Sequence, residues 1–157
     1  MKQLLAAMSV VLLLSGCSPK PPKTVYPRLN REAETSGLLS WNQRSSWNPR
    51  SGRVITSWVN PGGTMTTLYG DDAAVNYARS HADGAYPAGA KLGAVTWKQQ
   101  EDARWFGGRI PAQVASVEIV TAGGSYARYE GSPLTAVPGD DTQRAQFLLH
   151  QRAAVMP

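Results

Sequence analysis

The chain has 157 residues, 42% of them apolar and 17% charged, with 15 glycines and 11 prolines. That composition is globular: too apolar for disorder throughout, and too rich in turn-forming residues for an all-helical bundle. The formal charge is +5, part of it from Lys2, and the basic residues form no block of the kind that follows a phosphate backbone, so nucleic acid is not an expected partner.

The N-terminus carries the clearest signal. Met1-Lys2 is a positive start, Leu4 to Leu14 is continuously apolar, and Leu14-Ser15-Gly16-Cys17 is a run of small residues ending in a cysteine. The apolar stretch falls short of the roughly 20 residues of a spanning helix, which excludes a polytopic membrane protein. These features resemble the bacterial lipoprotein signal, in which the cysteine thiol is alkylated by a diacylglyceryl group and the leader, here residues 1–16, is then removed. The resemblance implies that Cys17 becomes an acylated N-terminus and that the protein is tethered to a membrane without crossing it. Residue Ser18, after the cysteine, is not the aspartate that retains lipoproteins in the inner membrane of enteric bacteria. By that rule the expected location is the cell envelope, at the outer membrane facing the periplasm. Cys17 is the only cysteine, so no intrachain disulfide or thiolate metal site is available. From residue 17 to about 36 the chain holds four prolines and little periodicity, and reads as a stand-off linker.

The remaining residues, 37–157, are expected to form one α+β domain: a mainly antiparallel β-sheet with one internal short helix and a C-terminal helix. Arg53 to Asn60 reads as a strand closed by Pro61-Gly62-Gly63, and Thr64 to Tyr69 as its partner. Asp71-Asp72 offers an N-cap to a helix that puts Ala74, Tyr77, Ala78 and His81 on one face. Tyr86-Pro87-Ala88-Gly89 marks a turn, and Lys91 to Gln99 is extended. A charged loop over Gln100 to Arg104 leads to a second loop, Trp105 to Pro111, whose glycines allow unusual backbone angles. Val114 to Thr121 reads as the strongest strand, with Val117 and Ile119 on one face and Ser116 and Glu118 on the other. Gly123-Gly124 turns it into Ser125 to Glu130. Asp140-Asp141 then caps a last helix in which Ala145, Leu148, Leu149 and Ala153 recur at helical spacing.

Little chemistry stands out. The two histidines, His81 and His150, lie far apart in sequence, and a metal site built on them would need a carboxylate such as Glu118; packing histidines are the simpler reading, and no metal is expected. There is no nucleophile elbow, and Asp71-Asp72 and Asp140-Asp141 are explained by helix capping. Trp41, Trp47 and Trp58 alternate with Arg44, Arg50 and Arg53, which suits either a ligand surface or aromatic core filling.

Between Leu68 and Pro111 the sequence resembles the cytochrome P-460 family of small extracytoplasmic haem proteins. The order of features carries the likeness: the Asn60-Pro61 turn after a strand, Tyr69-Gly70-Asp71-Asp72-Ala73-Ala74 at a helix start, Tyr86-Pro87-Ala88-Gly89, and a strand ending in Trp97. The family is largely β, carries a c-type C-x-x-C-H haem motif with an added lysine cross-link, and oxidises hydroxylamine or binds nitric oxide. Here His150 falls in the place of the axial histidine, but Gln146 and Leu149 stand in the two cysteine places, so no thioether can form. The resemblance therefore implies a haem-less relative with no cofactor, not an enzyme, that binds a small molecule or a partner protein. The alternative is a haem-binding oxidoreductase using non-covalent haem through His150, which calls for a polar, roomy pocket there. A third reading is a structural or immunity-type lipoprotein docking through Arg44, Arg50 and Arg53. For any ligand, the loop with Trp105 and Arg109 is the expected wall, Arg109 gripping an anion.

Overall fold

The computed structural model describes residues 47–80, 84–139 and 141–154. The leader, Cys17, the linker, Trp41, Arg44, His81 and Asp140 lie outside the described residues. The described part is one six-stranded antiparallel meander in chain order: β1 Arg53–Asn60, β2 Thr64–Gly70, β3 Lys91–Glu101, β4 Arg109–Thr121, β5 Tyr126–Glu130 and β6 Thr135–Val137. Helix α1, Asp72–Arg79, lies between β2 and β3, and α2, Thr142–Leu149, follows β6. Over the described residues the fold is thus mainly β, an antiparallel six-stranded sheet with two helices, one internal and one after the last strand.

Local chemistry accounts for the turns and caps. The β1–β2 connection uses Gly62 and Gly63 at φ of 89° and 80°, a left-handed pair that residues with side chains rarely adopt. Asp71 caps α1 by accepting from Ala74 N at 2.9 Å, while its second oxygen accepts from Lys91 N at 3.0 Å. One carboxylate thus starts the helix and ties it to the head of β3.

The two sheet faces are covered differently. Leu68, Leu92, Ala94 and Val120 join Ile55, Ala74, Val75, Ala78 and Leu148 under the two helices. Val95, Trp97, Val114, Val117 and Ile119 form the opposite core with Leu134, flanked by Trp47, Met65, Tyr69 and Tyr129. Trp47 and Pro49 lie tight against Gly93, where a Cβ would stand 2.7 Å from Pro49 and 2.9 Å from the Trp47 ring. Trp47 thus serves as packing, and Trp58 packs against the helix-side core with its ring 5.8 Å from that of Phe147.

Three expectations need correction. The charged and glycine-flanked loops are shorter than the sequence suggests, because Gln100 and Glu101 extend β3 and Arg109, Ile110 and Pro111 begin β4. Beyond Lys98 no β2 residue pairs with β3, and before Ser116 no β5 residue pairs with β4. The hairpin continues outward as a two-stranded arm, pairing Gln99 with Pro111, Gln100 with Ile110 and Glu101 with Arg109. Pro111 is tolerated because the arm has no further neighbour to demand its missing N–H. Helix α2 ends at Leu149 rather than running to Ala153, since the backbone beyond bonds elsewhere: Ala153 N donates to Ala78 O at 3.2 Å and Ala154 N to Ile55 O at 3.1 Å. Strand β6 is three residues long and carries no period that a sequence reading detects.

Candidate functional site

The helix-bearing face changes character along its strands. At one end it is apolar, with Leu92 and Ala94 on β3, Leu68 on β2 and Val120 on β4. At the other end the same alternation delivers Thr64 and Thr66, Thr96, and Ser116 and Glu118, with Arg128 of β5 alongside. These side chains, with Asn60 and Arg144 of α2, line an open polar cleft of about 330 Å³.

A continuous hydrogen-bond chain fixes its floor. Trp58 Nε1 donates to Asn60 Oδ1 at 2.9 Å, Asn60 Nδ2 donates to Thr64 and Thr66 hydroxyls at 3.1 and 2.9 Å, and the Thr66 and Thr96 hydroxyls lie 2.9 Å apart. Thr66 is fully buried, so its partners are essential to it.

The wall is ionic. Glu118 is only 3% exposed and accepts from Arg144 Nε and Nη2, both at 2.9 Å, and from the Tyr126 hydroxyl at 2.6 Å. This forked geometry holds the Arg144 guanidinium more firmly protonated than usual. Burial, reinforced by the Glu118 carboxylate, pushes the Tyr126 phenol well above its ordinary range. Arg144 is placed by the cap of its own helix, where Asp141 Oδ1 accepts from its backbone N at 2.8 Å, and its guanidinium lies 4.9 Å over the Phe147 ring. Arg128 pairs with Glu130, yet its Nε is buried with no hydrogen-bond partner among the described residues.

No protein-family model matches the chain, and neither does any curated protein.

The residues singled out from sequence fall elsewhere. His150 is exposed at the C-cap of α2, its Nδ1 2.6 Å from the Gln146 carbonyl oxygen, an acceptor that selects the Nδ1–H tautomer. The pocket beside it holds about 190 Å³ and is walled largely by Ala85, Tyr86, Ala122 and Leu149. That space is smaller and more apolar than the polar, roomy pocket the haem alternative calls for. Trp105 and Arg109 lie out on the β3–β4 arm, away from the polar cleft. Arg50 is exposed, and Arg53 forms a surface ion pair with Asp72 at 3.0 Å. Among the described residues no three His, Cys, Asp or Glu side chains gather as a metal site.

The sequence puts Ser116 and Glu118 on one strand face and offers Glu118 as a potential metal carboxylate, but it does not single out Arg144, Arg128 or the threonines. One further signal is available: Thr64 and Thr66 share a face by the same two-residue period that pairs Ser116 with Glu118.

Proposed function

We propose that this chain is a lipid-anchored bacterial envelope protein, acylated at Cys17 and held at the outer membrane facing the periplasm. Its domain, residues 37–157, is a haem-less cytochrome P-460-like domain that binds a small polar molecule offering acceptor oxygens in the cleft. It acts by binding, without catalysis and without a cofactor. The observation that carries the reading is the buried, unpartnered Arg128 Nε–H beside a cleft lined with hydroxyl groups. Leaving such a donor unsatisfied costs about 1–3 kcal/mol, and a small turn of the Arg128 side chain, which is 41% exposed, would bring the group to a ligand oxygen in the cleft and remove that cost. The cations of the wall are matched by Glu118 and Glu130, which favours a ligand of small charge held mainly by hydrogen bonds.

Thermal unfolding with acetate, inorganic phosphate and glucose as probes tests the cleft. A probe present at a hundredfold excess over its Kd stabilises by about 2.7 kcal/mol, a rise of several degrees in Tm. The rise is expected for the wild type and not for Arg128→Leu; no rise with any probe, or an equal rise in the variant, refutes the assignment. Incorporation of labelled palmitate, lost in Cys17→Ser, tests the anchor separately.

A further inference from the structure

The β3–β4 arm ends in two outward-facing aromatic side chains: Trp105 is 75% exposed and Phe106 fully so. Their exposure is built in. Within the turn, Trp105 N donates to Asp102 O at 3.1 Å, Gly108 N to Trp105 O at 2.8 Å and Asp102 N to Gly108 O at 3.0 Å. Asp102 Oδ1 accepts from Arg104 N at 2.9 Å, a bond that holds its carboxyl below the usual carboxylate range. Gly107, at φ 74°, completes the turn. A closed ring of hydrogen bonds therefore pushes both aromatics outward at the far end of an arm without flanking strands.

We propose that this tip docks on an anionic lipid surface, with Trp105 and Phe106 entering the interfacial layer and Arg104 and Arg109 meeting the headgroups. Size distinguishes this occupant from a protein. Two aromatic side chains bury roughly 150–250 Å² each, well below the roughly 800 Å² per partner of a stable protein interface. A bilayer asks only for a few amphipathic rings, and an indole, apolar with one N–H, is the side chain that belongs at the headgroup level. Charge agrees in sign: Arg104 and Arg109 flank the aromatics half exposed, Arg104 Nε 3.4 Å from the inward-turned Asp102 carboxylate and Arg109 Nη2 4.0 Å from the exposed Glu101, and with Lys98 the arm's three cations exceed its two carboxylates. The inference does not depend on acylation or on the cleft.

The test uses the full chain made by cell-free synthesis in a Cys17→Ser background, so that an introduced thiol is the sole one, and quenching is read only on chain that floats with the vesicles. A fluorophore is attached at Ala103→Cys beside the tip, or at Ala88→Cys in the turn at the opposite end of β3; both positions are exposed. Vesicles of phosphatidylglycerol and phosphatidylethanolamine with brominated acyl chains are expected to quench the label at 103 several-fold more than at 88. Adding Trp105→Ala with Phe106→Ala brings the two to the same level, and Arg104→Gln with Arg109→Gln weakens quenching on these vesicles but not on phosphatidylcholine. Equal quenching at both positions, no quenching at either, or quenching indifferent to the aromatic substitutions overturns the proposal; absence at both would leave the tip to a protein partner.

Discussion

Replacing Arg144 by alanine strips a carboxylate that is 4% exposed of two 2.9 Å hydrogen bonds and leaves it the Tyr126 hydroxyl alone. Breaking a buried ion pair from one side costs about 3–5 kcal/mol, but the Arg144 side chain is 29% exposed and the pair is partly screened. An expected loss of about 2–3 kcal/mol follows from that discount. Glu118→Gln keeps the shape and an acceptor for Arg144, which can in any case turn toward water, so its loss is smaller, about 1 kcal/mol. Converting both residues together to leucine removes the charges in a matched way and is expected to restore much of the stability lost in Arg144→Ala. Urea unfolding followed by tryptophan fluorescence measures all three, and an unchanged m-value would show that compactness is preserved. A loss below about 1 kcal/mol for Arg144→Ala, or one no larger than for Glu118→Gln, would refute the claim that the pair is effectively buried and that the orphaned carboxylate dominates.

Asp71→Ala removes the α1 cap and the acceptor for Lys91 N, for an expected loss of about 2 kcal/mol in the same unfolding assay, whereas Asp71→Asn retains most of the stability. Gly93→Ala drives a methyl into Pro49 and the Trp47 ring; about 1–3 kcal/mol is lost and the fluorescence shifts red as Trp47 leaves its site, while an unchanged spectrum would show that the segment is not packed there. Burial pushes the Tyr86 phenol up to about 12 from an ordinary value of 10.0. Its contribution is fully present below pH 10 and is lost as pH rises toward about 12, because the unfolded chain ionises first. Alkaline unfolding should begin in that window, Tyr86→Phe should lessen the loss, and ultraviolet titration that found Tyr86 ionising near pH 10 in the folded protein would contradict it.

Strands β1 to β5 and both helix starts were legible because alternation, Asn60-Pro61-Gly62-Gly63, Gly123-Gly124 and the capping aspartates each speak through local chemistry. Helix α2 was overestimated because Ala153 satisfies the helical period while being half-buried by an irregular segment. The cleft was not legible for a different reason. Glu118 and Arg144 meet only after α2 lies across the sheet, and no local pattern records which strand a later helix will cover. The hydroxyl residues of β2, β3 and β4 are spread along the chain, so their convergence depends on strand register, which the turns and both buried faces determine together.

The short segment after α2 reaches back across the whole described chain, with Ala153 bonded to α1, Ala154 to β1, and the Arg152 guanidinium 5.0 Å over the Tyr77 ring. Contacts of such long sequence separation are among the last to form, since loop closure must precede any gain from them. A growing chain can therefore complete its sheet while its helix-bearing face stays unlatched until residues 152–154 have been made. Synthesis itself thus imposes a delay in closing that face, and cutting before Arg152 would take the latch away without removing a single strand.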